Sequence, residues 1–503
     1  MRKISLILSA SFFLLAPGFS ETIIDSSWVL SLWAQEGHRI SYSPLVDAIL
    51  IANRALFNYS INAHSAPGNL SYWVHDNYIY NLQFGRPHWC ISTLASTNPY
   101  IGFGAALGYK AIAQRCVGWF TGNWEDPVNI GPDTAGVFMN IPLQLQDGNI
   151  LFIALTVDSI IYFTRSPDLQ IEIAHGKVAD NFFWGADVNN GIVYVFYYDE
   201  SANVYYRTTV DGINWSPEQA WTIVWPNPYP NNIIGFVQMA VTDAGNPLLV
   251  FDNWNGDDYN NGLYPWHSKV YVSYQSGQPC IEVSSTFGAP DTECIYPTIA
   301  TGGNYAAVLY CMPRNNEPDA LNWWDFYVVW SSDNGQTWGT PINYTGSLTN
   351  RPGLPQLAKR IDTLRNRAYY IYAIDMVRNI DPLWNVWISG DYDPIYIYFD
   401  YAQYTGIEEG EKLRAEGKEL KLMVLPNVIR DYAQIQCAIP ERQRISLNLY
   451  DIIGRKVKTI AQGTIEPGVY SYRFDSSNLM SGIYFLILSG VEDRKVQKVL
   501  ILR

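Results

Sequence analysis

The sequence predicts an all-β chain: a β-propeller-like body of six to eight blades, seven fitting the repeat best, then a small C-terminal β-sandwich. Three observations carry this. Aromatic residues make up 15% of the 503 residues while charged residues reach only 16%, and ring and β-branched side chains suit half-buried pleated surfaces. A unit of apolar strand, short Asp/Asn/Gly turn and second apolar or aromatic strand recurs along the chain. After Tyr404 both the spacing and the charge change.

Residues 1–20 read as a secretory signal. Arg2 and Lys3 precede an apolar run over residues 4–15, and small residues surround a cleavage point after Ser20. The run is shorter than the ~18 apolar residues of a spanning helix, and no other stretch reaches that length, so the protein is not expected to span a membrane.

The body is assigned to residues 21–405. Its clearest repeats cover residues 141–156 around Asp147-Gly148, 184–198 around Asn190-Gly191, 237–252 around Asp243 to Gly245, 296–310 around Gly302-Gly303, and 354–373 around Asp362 to Asn366. Weaker copies lie near Asp47 and Gly108, giving about seven units of roughly 40 to 60 residues. Alternation is period two, as in Ile192-Val193-Tyr194-Val195-Phe196-Tyr197. A small sheet has two apolar faces, and a ring of such sheets covers both. Stacked sandwiches are the competing arrangement, and the lack of linkers between units disfavours them.

Residues 406–420, dense in Glu, Lys and Gly, read as a linker. From residue 421 to 503, strands are expected at 422–425, 433–439, 445–450, 469–474, 482–488 and 495–502, forming a compact sandwich.

Charge excludes one class of partner. The formal net charge is -14, and from Glu411 onward 15 Lys and Arg face 10 Asp and Glu, so the acidity lies entirely in the body. Such a body repels nucleic acid and anionic membrane. The six cysteines (Cys90, Cys116, Cys280, Cys294, Cys311, Cys437) form no C-x-x-C pair. Bridges between Cys280 and Cys294 or Cys294 and Cys311 compete with free buried thiols.

Catalytic motifs are missing. The six histidines form no H-E-x-x-H, and there is no G-x-S-x-G or P-loop, so no catalytic residue and no cofactor is assigned. The loop Asp252-Asn253-Trp254-Asn255-Gly256-Asp257-Asp258 has the oxygens for Ca²⁺ but not the EF-hand spacing, and reads as a polar loop tip. Trp254, Trp266, Trp323, Trp324, Trp384 and Trp387 fall in or beside loops, where flat rings stack on sugars, grip proteins or pack between blades.

The segment from Ser331 to Trp338 (SSDNGQTW) resembles the Asp-box, S-x-D-x-G-x-x-W, of sialidase-like propellers, on Ser331, Asp333, Gly335 and Trp338. A shortened copy carries Thr209, Asp211, Gly212 and Trp215, and Ser166-Pro167-Asp168 marks a third. Asp accepts backbone N–H groups in the turn and Gly tolerates positive φ. The resemblance implies fold, not catalysis. The F/Y-R-I-P signature of sialidases is missing; Cys311-Met312-Pro313-Arg314 has the wrong order.

The C-terminal region carries Pro426-Asn427, then Tyr450-Asp451, Gly454-Arg455, Gly468, Tyr470, Ser481-Gly482, and Tyr484-Phe485, closing on a basic strand. In order and type this resembles the type A sorting domain of the type IX (Por) secretion system. The resemblance implies recognition by that machinery and a destination at the outer-membrane surface or outside the cell. The expected protein is then an exported, non-catalytic propeller that binds a glycan or a surface protein. A secreted glycosidase, sialidase-like enzyme or lyase with its site at the propeller funnel is the alternative.

Overall fold

The computed structural model describes residues 22–27, 40–55, 59–66, 69–76, 84–91, 101–107, 110–117, 124–131, 136–137, 139–156, 158–180, 182–226, 233–257, 267–284, 294–313, 324–344, 351–375, 395–404, 420–425, 428–429, 432–465, 468–476, 479–491 and 493–501. Residues 1–20, the expected leader, lie outside them, as do Pro426 and Asn427. The chain is all-β, and it divides into a body over residues 22–412 and a C-terminal unit over residues 413–503. Among the described residues, no helix is long and apolar enough to cross a membrane.

In the body, seven four-stranded antiparallel sheets are described. Sheets 1 to 6 occupy residues 40–76, 84–129, 139–179, 182–221, 233–282 and 295–343, each with its strands side by side in chain order. Sheet 7 takes three strands from residues 351–403, and its outer strand is Thr22–Ser27, paired antiparallel with Ile395–Gln403. The start of the body is thereby fastened to its end. This early strand escapes a local reading because its partner lies more than 350 residues away in sequence.

Each sheet packs on the next, and sheet 7 meets sheet 1, where the Tyr42 and Tyr369 rings lie 5.1 Å apart. The core is therefore a series of layers between sheets. Leu143, Ile153 and Tyr197 fill the layer between sheets 3 and 4. Trp184, Phe251 and Tyr271 fill that between sheets 4 and 5, and Val250, Val308 and Tyr310 the following one. This layering answers the cysteine question. Cys280, Cys294 and Cys311 sit in three different layers, and Cys116, Cys280, Cys294, Cys311 and Cys437 are buried free thiols. Burial pushes the Cys280 thiol up to about 11 and Cys437 to about 12.

The five clear sequence repeats are each the first hairpin of a sheet, in sheets 3 to 7. Asp47 lies in the first turn of sheet 1. Gly108 breaks the phase: it lies outside the described residues, between Ile101–Leu107 and Lys110–Arg115, which are the second and third strands of sheet 2.

The turns after the third strands of sheets 3, 4 and 6 share one hydrogen-bond plan. In sheet 6, the Gly335 N–H donates to Ser331 Oγ (2.9 Å), and the Gln336 and Thr337 N–H groups donate to Asp333 Oδ1 (3.0 and 2.8 Å). In sheet 4, the Gly212 N–H donates to Thr209 Oγ1 (2.9 Å), while those of Ile213 and Asn214 donate to Asp211 Oδ1. Although desolvation opposes it, donation by Asn214 and Ile213 holds the Asp211 carboxyl down at about 2. In sheet 3, Ser166 Oγ and the Gln170 N–H both donate to Asp168 Oδ1.

Gly335 has φ +84°, and a Cβ there would stand 2.8 Å from the Leu248 side chain of sheet 5. The turn thus wedges against the preceding sheet. Gly335→Ala is expected to lower stability by about 1–3 kcal/mol, from the left-handed backbone and the overlap together. A denaturant midpoint that does not move would contradict this reading.

The C-terminal unit has a three-stranded sheet of Lys421–Leu425, Tyr432–Ile439 and Gly468–Asp475. Its five-stranded sheet orders Val428–Ile429, Arg494–Ile501, Gly482–Ser489, Gln443–Asp451 and Lys456–Ile465. Ile435, Cys437 and Phe474 from the first sheet share a core with Leu447, Leu449 and Leu486 from the second. The ten-residue edge strand Lys456–Ile465 is not among the strands expected from the sequence. It is largely exposed, so its composition lacks the apolar alternation that marks a half-buried strand.

Candidate functional site

Two polar constellations occupy opposite ends of the first strands in sheets 4 to 6. One is closed and one reaches solvent.

The closed one lies near the strand ends. The Ala358–Asp362 segment, leaving the first strand of sheet 7, runs beside sheet 6: the Thr301 N–H donates to Lys359 O (3.0 Å) and the Ile361 N–H to Thr301 O (2.9 Å). From there Arg360 reaches sheet 4, its two terminal nitrogens each 2.9 Å from an Asp187 carboxylate oxygen. Arg360 Nη2 also donates to Val188 O, and the Val241 N–H of sheet 5 donates to Asp187 Oδ2 (2.7 Å). Lys359 Nζ donates to Met239 O of sheet 5 (2.5 Å). Burial depresses its ammonium to about 8, the nearby Asp187 charge opposing the fall. Arg360 and Asp187 are both buried and their polar atoms are engaged within the protein. Chemically this is a tie between four sheets, with no room for substrate. A similar tie joins sheets 7 and 1, where Arg365 bridges Asp47 and Asp362 at 2.7 Å each and Tyr369 donates to Asp362.

The solvent-reaching constellation lies at the strand starts. In sheets 2, 4, 5, 6 and 7 the first strand carries an extra residue near its beginning, as between Ile234 and Val237 or Ile295 and Thr298. Such bulges re-aim side chains. In sheet 5 the bulge presents Phe236, half-buried, with its ring 5.8 Å from Trp254 and 4.0 Å from Tyr296 of sheet 6. Tyr296 holds φ +55°, a strained backbone for an aromatic residue. Beneath them Asp252 is fully buried, accepting the Phe236 N–H (2.5 Å) and the Tyr296 N–H (3.3 Å). Burial pushes its carboxyl up to about 8, and these donors only partly oppose the rise. A Cβ at Gly235 would collide with the Asp252 carboxyl and the Trp254 indole, so glycine lets the indole lie over the strand. The site is an aromatic surface on a neutral acid.

Asp252 therefore lies in a strand (Pro247–Trp254), not in a loop, and its oxygens are spent on backbone donors. Asn255 Oδ1 accepts the Asp257 N–H, as in a polar loop tip, while Asp258 lies outside the described residues. Among the described residues no cluster of three or more His, Cys, Asp or Glu is arranged to hold a metal. Of the tryptophans singled out in the sequence, Trp254 belongs to this surface; Trp266, Trp323, Trp384 and Trp387 lie outside the described residues. Phe236 and Tyr296 gave no sequence signal, because a bulge and a positive φ are not written in hydrophobic periodicity.

In the C-terminal unit, Asp451 organises the turn after Gln443–Asp451. Its Oδ1 accepts the N–H groups of Ile453 (3.1 Å) and Arg455 (2.9 Å), its Oδ2 accepts Arg455 Nε (2.8 Å), and Gly454 has φ +81°. Tyr450 pairs across the sheet with Phe485, and Tyr484 donates to Met480 O (2.9 Å). Gly468 and Gly482 each begin a strand, Tyr470 packs on the shared core, and Ser481 is exposed. Residues 423–502 match the secretion system C-terminal sorting domain. The protein is exported, to the outer-membrane surface or beyond it.

No curated protein matches the chain. Among solved structures, an ulvan lyase of polysaccharide lyase family 25 bound to a sulfated glycan has a TM-score of 0.47 and 11% identity, covering 72% of this chain and 93% of that one. An α-L-arabinofuranosidase from Fusarium graminearum with an iminosugar inhibitor has a TM-score of 0.35 and 11% identity, covering 75% and 98%. The N-terminal domain of Nup159 also has a TM-score of 0.35, with 9% identity and coverage of 76% and 95%.

Proposed function

We propose that this exported protein is a seven-bladed propeller that binds carbohydrate at its strand starts, delivered by a C-terminal sandwich that engages the type IX machinery. The three turns with the shared hydrogen-bond plan act as Asp-boxes, setting blade geometry and taking no part in chemistry. The observation that carries the binding role is the half-buried pair Phe236 and Trp254, with the buried Tyr296 ring packed behind Phe236. A pyranose presents a face of C–H groups, which packs on the electron-rich face of an aromatic ring and removes apolar area from water. The neutral Asp252 beneath adds no charge that a sugar would have to desolvate. A catalytic role would require that carboxyl to reach a substrate, and it is sealed below the rings.

Trp254→Ala is expected to weaken glycan binding at least about tenfold, the loss of one aromatic contact. Titration of the full-length mature chain against a glycan panel measures it. Equal affinities for wild type and variant would remove this surface from the binding site.

A further inference from the structure

We infer that the ligand is a neutral, linear polysaccharide held across at least two neighbouring sheets, the second platform being Phe182 with Tyr198; this rests on the carbohydrate-binding reading above. In sheet 5, the residue that begins the first strand, Ile233, pairs with Trp254 at the end of the second. The same register position in sheet 4 pairs Phe182 with Tyr198. There the rings are stacked, 5.5 Å apart at 29°, and Phe182 is 52% exposed, although nothing about strand formation requires a large apolar side chain in water at that point. Trp184 supports the pair from below, edge-on to both Tyr198 and Phe251, and its indole N–H donates to Gln238 O of sheet 5. The two platforms are thus fixed to one another through the layer between sheets 4 and 5.

Packed sheets stand about 10 Å apart, more than one sugar ring spans. Rings at one register position on successive sheets suit a ligand that itself repeats along a line. A protein partner would call instead for a continuous apolar patch of several hundred Å². The sign of the charge selects among polymers: all of the net negative charge lies in the body, so a polyanionic glycan would be repelled.

The test uses full-length mature protein and cello-, xylo-, manno- and malto-oligosaccharides of two and of six sugars, with alginate as the polyanion. Phe182→Ala should weaken binding of a hexasaccharide about tenfold and leave the matching disaccharide unchanged, whereas Trp254→Ala should weaken both. Phe182→Trp should restore the hexasaccharide, and unchanged thermal unfolding of each variant excludes a folding defect. Equal effects of Phe182→Ala on both lengths, or none on either, would overturn the second platform while leaving the Trp254 site standing. Preference for alginate would overturn the neutral assignment. Wild-type protein that binds no oligosaccharide would overturn both readings and leave the rings to a protein partner.

Discussion

Asp187→Ala is expected to destabilise the body by about 3–5 kcal/mol, a large share of the 5–15 kcal/mol by which native proteins are stable. The reason is the partner left behind. Arg360 would keep its buried guanidinium with no carboxylate, and the Val241 N–H would lose its acceptor. Four sheets meet at this point: Asp187 belongs to sheet 4, Val241 and Met239 to sheet 5, Thr301 to sheet 6, and the Lys359-Arg360 segment leaves sheet 7. Replacing both charges by apolar residues, as in Asp187→Leu with Arg360→Met, should recover much of the loss, because it removes the desolvation cost along with the attraction. Urea unfolding of wild type and the two variants measures it. A single-variant cost below about 1 kcal/mol would mean that the pair is an ornament on a body held by its apolar layers alone.

The second large effect concerns Asp252. An ordinary Asp releases its proton near 3.8 in the unfolded chain, whereas this one keeps it to about 8 when folded. Between those values the folded state binds the extra proton, so stability falls as pH rises. From pH 5 to pH 8 the loss is roughly 3–4 kcal/mol. Asp252→Asn keeps an oxygen for the Phe236 N–H and cannot ionise, so its stability should be flat over that window. The variant should therefore gain on wild type steadily with pH. Parallel stability curves for the two proteins would show that Asp252 is not the buried neutral acid described here.

What the sequence makes legible follows from distance along the chain. The hairpins of sheets 3 to 7 announce themselves because Asp147-Gly148 or Asn190-Gly191 sits between two apolar strands, and turn chemistry is local. The turns at Asp211 and Asp333 are legible for the same reason, since every donor to each carboxylate lies within four residues. The tie between Asp187 and Arg360 joins residues 173 positions apart and leaves no local trace. A polar loop beginning at Asp252 is the local reading because Asn253, Asn255 and Gly256 follow it; only the fold reveals that the strand runs on to Trp254. The aromatic surface was half legible. Trp254 stands out, but the bulge that sets Phe236 between Trp254 and Tyr296 is a property of two adjacent sheets.

The most direct test incubates the full-length protein with a panel of neutral linear glycans and scores retention and products in the same tubes. Saturable retention of at least one polymer, with no new reducing or unsaturated ends, is the expected result. New chain ends that accumulate with time, and disappear in Asp252→Asn, would contradict it and make the buried acid a catalyst.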